Sequence, residues 1–197
     1  MTIKKRFFDI LVASFCLLLL MPFMLITALI LWLTGMKPLF SHPRMGQGGK
    51  IFYCLKFTSM LPMEKVSAAE QARIRHELQL YSVVKNDPRV TRFGAYIRKT
   101  SIDELPQFIN VLRGDMSVIG PRPIAAYEKD KYGRSYRYYC SVKPGITGLW
   151  QVSGRDDLPY HRRVAIDRYY SRRRRARMDI YIFLKTFGVV AGMKGVN

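Results

Sequence analysis

Two adjacent carboxylates, Asp103 and Glu104, are the residues best suited to chemistry in a chain that is otherwise strongly basic. They lie in the stretch SIDELPQFINVLRGDMSVIGPRP, residues 101–123. An ionised carboxylate can act as a nucleophile or bind a hard cation such as Mg²⁺ through oxygen. Three arginines close by in sequence are suited to holding phosphate, namely Arg98, Arg113 and Arg122. The pattern is compatible with an active site that handles phosphate groups.

The same acids also fit a structural interpretation. Ser101 and Glu104 match the S-x-x-E capping box, in which the serine caps a helix and the glutamate bonds back to its backbone N–H. In either interpretation both acids lie at a helix N-terminus, where the helix dipole stabilises an anion. Spacing alone leaves a helix cap and an active site both open.

Several elements are predicted around these acids. Residues 101–113 predict a helix that ends at Gly114, and its apolar face carries Leu105, Phe108, Ile109 and Leu112. Residues 90–99 predict an amphipathic helix, either lying on the membrane or packed on the domain. The remaining predictions are a hairpin over 38–57, a turn at 86–89, helices over 68–84 and 158–170, loops at 114–123 and 143–155, and an interfacial or docked apolar segment at 178–190.

The charge of the chain narrows the class of partner. Its 197 residues include 33 Lys and Arg against 14 Asp and Glu, a net charge of +19. Such an excess favours an anionic partner: nucleic acid, anionic lipid or a phosphorylated substrate. The three cysteines are odd in number and widely spaced, and no C-x-x-C occurs, which argues against a disulfide framework or a zinc site.

An uncharged run of 27 residues, Ile10 to Met36, predicts a membrane helix. As one straight helix it would measure about 40 Å, more than the roughly 30 Å hydrocarbon core. A retained helix is favoured over a signal peptide because no small-residue cleavage site follows. Basic residues flank both ends, and the positive-inside rule places both flanks in the cytoplasm.

Pro22 lies near the middle of this run and predicts a kink. Each arm would then be about 18–20 Å long, enough to enter one leaflet and return. We therefore expect a re-entrant helix–break–helix over residues 1–36. An ordinary kinked span across the bilayer is the alternative that the residues alone leave open.

The sequence resembles the bacterial sugar transferases, the monotopic phosphoglycosyl transferases. The resemblance spans most of the chain, and its long central block is highly specific. The matching parts are KKRFFDI at 4–10, the apolar helix with Pro22, Lys56, Phe57, Ser59 and Met60 of a K-F-x-S-M pattern, NDPRVTRFGAYIRKTSIDELPQFINVLRGDMSVIGPRP at 86–123, and VKPGITGLWQVSGR at 142–155.

The resemblance implies an enzyme that transfers a sugar-1-phosphate from a UDP-sugar to undecaprenyl phosphate, giving undecaprenyl-diphospho-sugar and UMP. Asp103 would be the nucleophile that attacks the β-phosphate and carries the sugar phosphate as a covalent intermediate. Glu104 would be a Mg²⁺ ligand, with Mg²⁺ as the cofactor. Lys56, Arg98 and Arg122 would bind phosphate oxygens. The resemblance also implies the re-entrant helix.

The expected fold is α+β and mostly helical, with a small β-hairpin and amphipathic interfacial helices around a cytoplasmic active site. Residues 1–36 would form the re-entrant membrane helix, and residues 37–197 the catalytic domain on the cytoplasmic face of the bacterial inner membrane. Anionic lipids are expected partners, since Lys and Arg near them contribute about 1 kcal/mol each. Nucleic acid is not an expected partner, and a homodimer stays open.

Residues 141–170 look most like hexose-1-phosphate transferases that begin capsule, exopolysaccharide, O-antigen or glycoprotein glycan synthesis. UDP-galactose or UDP-glucose is therefore the expected donor, with a UDP-N-acetylhexosamine as the alternative. Such relatives often carry further N-terminal membrane helices, and this chain is expected to be the minimal catalytic form.

Three positions depart from the family pattern. Met21 stands where serine is common before the proline, His42 where glutamine often occurs, and Thr58 where the K-F-R-S-M pattern has arginine. Two functions of other classes remain as alternatives. One is a membrane-tethered nucleic-acid-binding module, for which no RNP, KH or helix-turn-helix signature is present. The other is a non-catalytic membrane scaffold.

Overall fold

One long helix and a set of short elements make up the chain in a computed structural model, which describes residues 2–81, 84, 86–154 and 158–192. The strands are β1 Leu39–Met45, β2 Ile51–Phe57, β3 Ser117–Ile119 and β4 Gly145–Thr147. The helices are α1 Ile3–Leu33, α2 Ala68–Tyr81, α3 Arg92–Lys99, α4 Gln107–Arg113, α5 Lys129–Tyr132, α6 Tyr136–Tyr139, α7 Tyr160–Arg173 and α8 Ala176–Ala191. The mostly helical α+β prediction is confirmed.

The helix α1 contacts the rest of the protein near both of its ends. Near its start, Arg6 donates to the carbonyls of Val111 and Leu112 at 2.6 and 2.8 Å. Near its end, Leu31 is buried in a cluster with Phe57 and Ile97. Between these contacts the helix exposes large apolar side chains to the surroundings.

By length and composition α1 is suited to crossing a membrane. The helix continues through Pro22 as a single element of 31 residues, so the predicted break into two separate arms is not found. A proline inside a helix removes one backbone hydrogen bond but does not require the helix to end. The re-entrant path and the division of the chain at residue 36 stay predictions.

The predicted hairpin is confirmed. The strands β1 and β2 pair antiparallel, with Phe40 opposite Lys56 and His42 opposite Cys54. Because alternate side chains of a strand share a face, these four residues lie on one face of the hairpin. Lys56 is therefore presented on the hairpin face that also carries His42.

The two segments predicted as loops, 114–123 and 143–155, each contain a short strand instead. The strands β3 and β4 pair in parallel, with Ser117 opposite Gly145 and Ile119 opposite Thr147. The loop prediction was wrong because such a pair depends on glycines that let two backbones approach closely. A Cβ on Gly145 would collide with the backbone of Gly120.

Residues 101–113 do not form one helix as predicted. Residues 102–104 form a single 3-10 turn, and α4 starts at Gln107. Gly114 ends α4 as expected, with a φ of 89°. The buried side chains of α4 are Gln107, Asn110 and Val111, whereas Leu112 is exposed. The predicted apolar face is right for Phe108, which packs against the core, and wrong for Leu112; Asn110 is buried because its amide bonds to β2.

The other helices lie close to their predicted bounds. The turn at 86–89 is present, α2 matches the start of the predicted 68–84 helix, and residues 82 and 83 lie outside the described residues. In α3, Gly94 and Ile97 are packed on the domain. In α8, Ile182 is buried and Thr186 is partly buried, while Ile180, Tyr181, Leu184 and Phe187 are exposed. Membrane contact by these helices stays a prediction.

Candidate active site

The two acids lie in the 3-10 turn that joins α3 to α4. Ser101, two positions before Asp103, takes a left-handed backbone conformation with a φ of 59°, and its side chain caps no helix. The side chain of Glu104 bonds to Lys56. The predicted capping box is therefore wrong, because Ser101 is used to reverse the chain after α3 and Glu104 finds a partner far away in sequence.

The side chain of one lysine, Lys56, lies close to both acids. The Nζ atom of Lys56, at the end of β2, lies 2.7 Å from Oε1 of Glu104 and 3.8 Å from Oδ2 of Asp103. The structure thus brings together three of the predicted site residues, although Lys56 is 47 positions before Asp103 in the sequence. This places a cation between a buried carboxylate and a more accessible one.

Asn110 of α4 bonds to the backbone of β2 just before Lys56. Its Oδ1 accepts from the N–H of Leu55 at 2.9 Å, and its Nδ2 donates to the carbonyl of Tyr53 at 2.8 Å. The side chain is fully buried, and it bonds to the backbone of β2 as a neighbouring strand would. No local pattern indicates this role, since Asn110 lies within an apolar helical pattern.

The environment of Asp103 favours proton binding without preventing ionisation at neutral pH. Burial raises the pKa of Asp103 to about 6, and the charge of Glu104 adds to the rise, whereas Lys56, Arg98 and Arg122 oppose it. For Lys56, burial alone would lower the pKa, but the Glu104 and Asp103 carboxylates outweigh it and raise the pKa. Asp103 is thus an ionisable, mostly desolvated carboxylate, a state suited to nucleophilic attack.

Arg98 and Arg122 approach the same carboxylate from other segments. Both lie near enough for their charges to lower the pKa of Asp103. Arg98, on the last turn of α3, has its Nη1 3.5 Å from Sδ of Met60. The Arg122 guanidinium lies 5.8 Å from the ring centroid of the buried Trp150. Arg113 stands at the other end of α4 from the two acids.

A network beside Arg122 was not foreseen from the sequence. Arg44 Nη1 lies 3.6 Å from Oε2 of Glu128, and the Tyr160 hydroxyl donates to Oε1 of Glu128 at 3.2 Å. Burial and the nearby charge of Arg122 both lower the pKa of Arg44. These residues come from β1, the segment after β3, and α7, and no local pattern links them. Arg44 extends the cationic surface on the hairpin face that carries Lys56.

The two acids fit a magnesium ion that is shared with a substrate. Among the residues that the structure describes, no three His, Cys, Asp or Glu side chains cluster as a metal cage. Mg²⁺ commonly binds through one or two carboxylates together with substrate phosphates, so a full protein cage is not needed. Burial is the main cause of the raised pKa of Asp103, and the charge of Glu104 adds to it; a divalent cation would offset that second contribution.

Sequence comparisons with known proteins show the family to which the chain belongs. The family model described as bacterial sugar transferase matches residues 1–193. The chain is 44% identical over 195 residues to the UDP-galactose-lipid carrier transferase of Erwinia amylovora, covering 97% of this chain and 41% of that protein. It is 42% identical over 196 residues to the exopolysaccharide production protein ExoY of Rhizobium meliloti, covering 97% of this chain and 87% of that protein.

A further relative is the UDP-glucose:undecaprenyl-phosphate glucose-1-phosphate transferase of Escherichia coli. It is 40% identical over 193 residues, covering 93% of this chain and 39% of that protein. The chain therefore spans well under half of the Erwinia and Escherichia relatives and most of ExoY.

Proposed function

This chain belongs to the bacterial sugar transferase family, and we propose that it transfers a sugar-1-phosphate from a UDP-sugar to undecaprenyl phosphate. The observation that carries the proposal is the buried Asp103, ionisable near neutral pH and flanked by Glu104 and Lys56. A carboxylate surrounded by cationic side chains is suited to attack on a diphosphate, because those cations neutralise the charge that develops on phosphate.

In the first step, an Asp103 carboxylate oxygen forms a bond to the β-phosphorus of the UDP-sugar. The bond from that phosphorus to the oxygen bridging the two phosphates breaks, and UMP leaves with that oxygen. A sugar-phosphoryl group then stays on Asp103. Lys56, Arg98 and Arg122 hold phosphate oxygens and stabilise their charge.

In the second step, a phosphate oxygen of undecaprenyl phosphate attacks the same phosphorus. The bond between phosphorus and the Asp103 oxygen breaks, which restores the carboxylate and yields undecaprenyl-diphospho-sugar. The covalent intermediate lets one small site accept a soluble donor and a lipid acceptor in turn, with ping-pong kinetics.

Glu104 would hold Mg²⁺, with substrate phosphate oxygens as further ligands. When bound, the ion supplies charge neutralisation to the diphosphate and its leaving group. The protein side chains supply the other interactions. Lys56 positions Glu104 through the 2.7 Å contact and keeps the electrostatic field positive beside Asp103.

UDP-galactose or UDP-glucose is the proposed donor. The Erwinia relative is named a UDP-galactose-lipid carrier transferase, and the name of the Escherichia relative specifies UDP-glucose. The reaction would be the first membrane step in the synthesis of capsule, exopolysaccharide, O-antigen or glycoprotein glycan. A UDP-N-acetylhexosamine is the alternative donor for the same reaction.

The proposed location is the cytoplasmic face of the bacterial inner membrane, with α1 re-entrant. Support comes from Arg6 and Leu31, because residues near both ends of α1 contact the same folded body. Single cysteines at Ile3 and at Lys37, in a chain without its natural cysteines, test this topology. Both are expected to resist an impermeant thiol reagent in intact cells and to react after permeabilisation. Labelling of only the Ile3 site in intact cells would establish a bilayer-crossing helix.

A panel of UDP-sugars tests the function. The purified chain, given undecaprenyl phosphate and Mg²⁺, is expected to release UMP fastest with UDP-galactose or UDP-glucose. Preference for UDP-N-acetylglucosamine would overturn the proposed donor but leave the proposed reaction unchanged. No UMP release with any donor, together with salt-sensitive DNA binding, would favour the nucleic-acid-binding alternative, and absence of both activities would favour a scaffold.

A further inference from the structure

A basic cleft lies between α7 and the segment around α6, and it shares no lining residue with the proposed active site. Its volume is about 390 Å³. Six of its lining residues are Ser135, His161, Ala165, Arg168, Arg172 and Arg173. The small side chains of Ser135 and Ala165 leave the space open, and the arginines form its walls.

The spacing along α7 brings the basic groups to one side. His161, Ala165, Arg168 and Arg172 follow one another at intervals of four, three and four residues, which places them on a single helical face. Arg168 and Arg172 are thus neighbours on the helix surface. Their guanidinium groups face the same space as His161.

The ring of Tyr138 lies close to the guanidinium groups of Arg168 and Arg172, which line the cleft, and to that of Arg137. The Cζ atoms of Arg137, Arg168 and Arg172 lie 4.7, 5.7 and 5.2 Å from its centroid. Cation–π attraction to an aromatic face holds such groups in a defined position. Three cations are therefore held around one ring, although like charges at this spacing repel one another.

The described residues provide no compensating acid for these cations. Across residues 2–81, 84, 86–154 and 158–192, no ion pair joins a carboxylate to Arg137, Arg168, Arg172 or Arg173. The acid of α7, Asp167, is buried and accepts a hydrogen bond from the Tyr132 hydroxyl at 2.8 Å. An external anion would supply the counter-charge that the described residues do not provide here.

We propose that this cleft binds a phosphate group, carried either by a lipid headgroup or by a soluble phosphate compound. Arginine forks match phosphate oxygens in pairs, and two guanidiniums on adjacent helical turns can share one such group. The position favours a headgroup. The next helix, α8, begins three residues after Arg173 and exposes the apolar side chains of Ile180, Leu184 and Phe187.

The test compares two double variants of the full chain in neutral detergent. Arg168→Gln/Arg172→Gln removes two cleft cations, and Arg73→Gln/Arg75→Gln removes the same charge from the exposed face of α2. Each protein is titrated calorimetrically with dihexanoyl-phosphatidylglycerol, with dihexanoyl-phosphatidylcholine and with inorganic pyrophosphate. Pyrophosphate binding at the active site is a background common to both variants.

We expect the cleft variant, Arg168→Gln/Arg172→Gln, to bind phosphatidylglycerol at least about ten-fold more weakly than the control variant, Arg73→Gln/Arg75→Gln. A selective loss of pyrophosphate binding instead would support the cleft with a soluble phosphate as its ligand. Equal effects of the two double variants on both anionic probes would overturn the proposal, as would equal loss of phosphatidylcholine binding.

Thermal unfolding without ligand checks the fold, and Arg168→Lys/Arg172→Lys replaces the glutamine variant if that variant unfolds. The lysine pair keeps the charge but lacks the fork, so it too is expected to bind more weakly than the control. The proposal does not depend on the transferase assignment, because these probes require no sugar donor.

Discussion

The ammonium of Lys56 lies 2.7 Å from Oε1 of Glu104, a contact that joins the last part of β2 to the turn before α4. The same ammonium lies 3.8 Å from Oδ2 of Asp103. The hairpin therefore supplies one cation to both acids, although it lies far from them in sequence.

Replacing Asp103 with asparagine is expected to abolish sugar-phosphate transfer, because the amide cannot act as the nucleophile. The wild type, given UDP-sugar and Mg²⁺ without lipid, should gain one sugar-phosphate mass on the peptide that contains Asp103, and the variant should gain none. Asp130→Asn, at an exposed acid of α5, is the matched control and should retain both activity and the adduct. Unchanged turnover in Asp103→Asn would end the nucleophile assignment.

The same substitution is expected to stabilise the fold. The pKa of Asp103 is raised from its ordinary value of 3.8 to about 6, so the folded protein binds this proton more tightly than the unfolded chain does. The contribution of Asp103 to the free energy of unfolding therefore falls as pH rises from about 4 to 6 and stays low above that range. At pH 7 the asparagine variant should be more stable by on the order of 1 kcal/mol.

Formation of the covalent adduct should depend on pH with a midpoint near 6, the value to which the pKa of Asp103 is raised. Below the midpoint the rate should fall about ten-fold per pH unit, because only the ionised carboxylate attacks. Quenched single-turnover reactions without lipid measure this step. Lys56→Met removes a charge that lowers the pKa of Asp103, so its midpoint should rise by about one unit. Lys50→Met, at the exposed turn of the same hairpin, should leave the midpoint unchanged.

Asn110 is expected to matter for both stability and activity. Asn110→Ala leaves the N–H of Leu55 and the carbonyl of Tyr53 without their side-chain partner, which should cost about 2–4 kcal/mol of unfolding free energy. The released β2 should also displace Lys56 and lower kcat/KM. Denaturant titration in detergent gives the first quantity. Gln47→Ala, which removes an exposed amide bonded to the Ser141 carbonyl, is the control and should cost less than about 1 kcal/mol.

Two glycine-to-alanine substitutions should have opposite effects. A Cβ at Gly120 would collide with the backbone carbonyl of Lys143, so Gly120→Ala should destabilise the protein by about 1–3 kcal/mol. Gly188 lies within α8 and has no atom within 4 Å of an added Cβ. Gly188→Ala should stabilise by about 0.5–1 kcal/mol, because alanine favours a helix. Thermal unfolding of both variants measures the difference, and equal effects would contradict the close packing of β3 on β4.

The parts of the fold that sequence alone could predict are those specified by nearby residues. Glycine and proline mark the hairpin over 38–57, and the long uncharged run identifies α1. Gly114 was recognised as a helix end, and it adopts the left-handed conformation that favours glycine there.

The parts that sequence could not predict depend on distant partners. The strands β3 and β4 have three residues each, and each pairs with residues 28 positions away in the chain. Glu104 matches a local capping pattern in the sequence, yet the side chain that it bonds to, Lys56, lies 48 residues away. Asn110 interrupts an apolar pattern because its bonds reach back 55 and 57 residues. For the site, the sequence pattern identifies the two acids, whereas tertiary contacts determine which cationic side chains lie beside them.

Asp9 of α1 sets a constraint on the order in which the protein can be built. Its carboxylate is fully buried and accepts hydrogen bonds from the Ser117 hydroxyl and the Val118 N–H, both at 3.0 Å. Those partners are 108 and 109 residues later in the chain. During translation the ribosome completes α1 long before β3 emerges, so the two hydrogen bonds from Ser117 and Val118 cannot form until most of the protein has been synthesised. Docking of α1 is thus a late event in biogenesis.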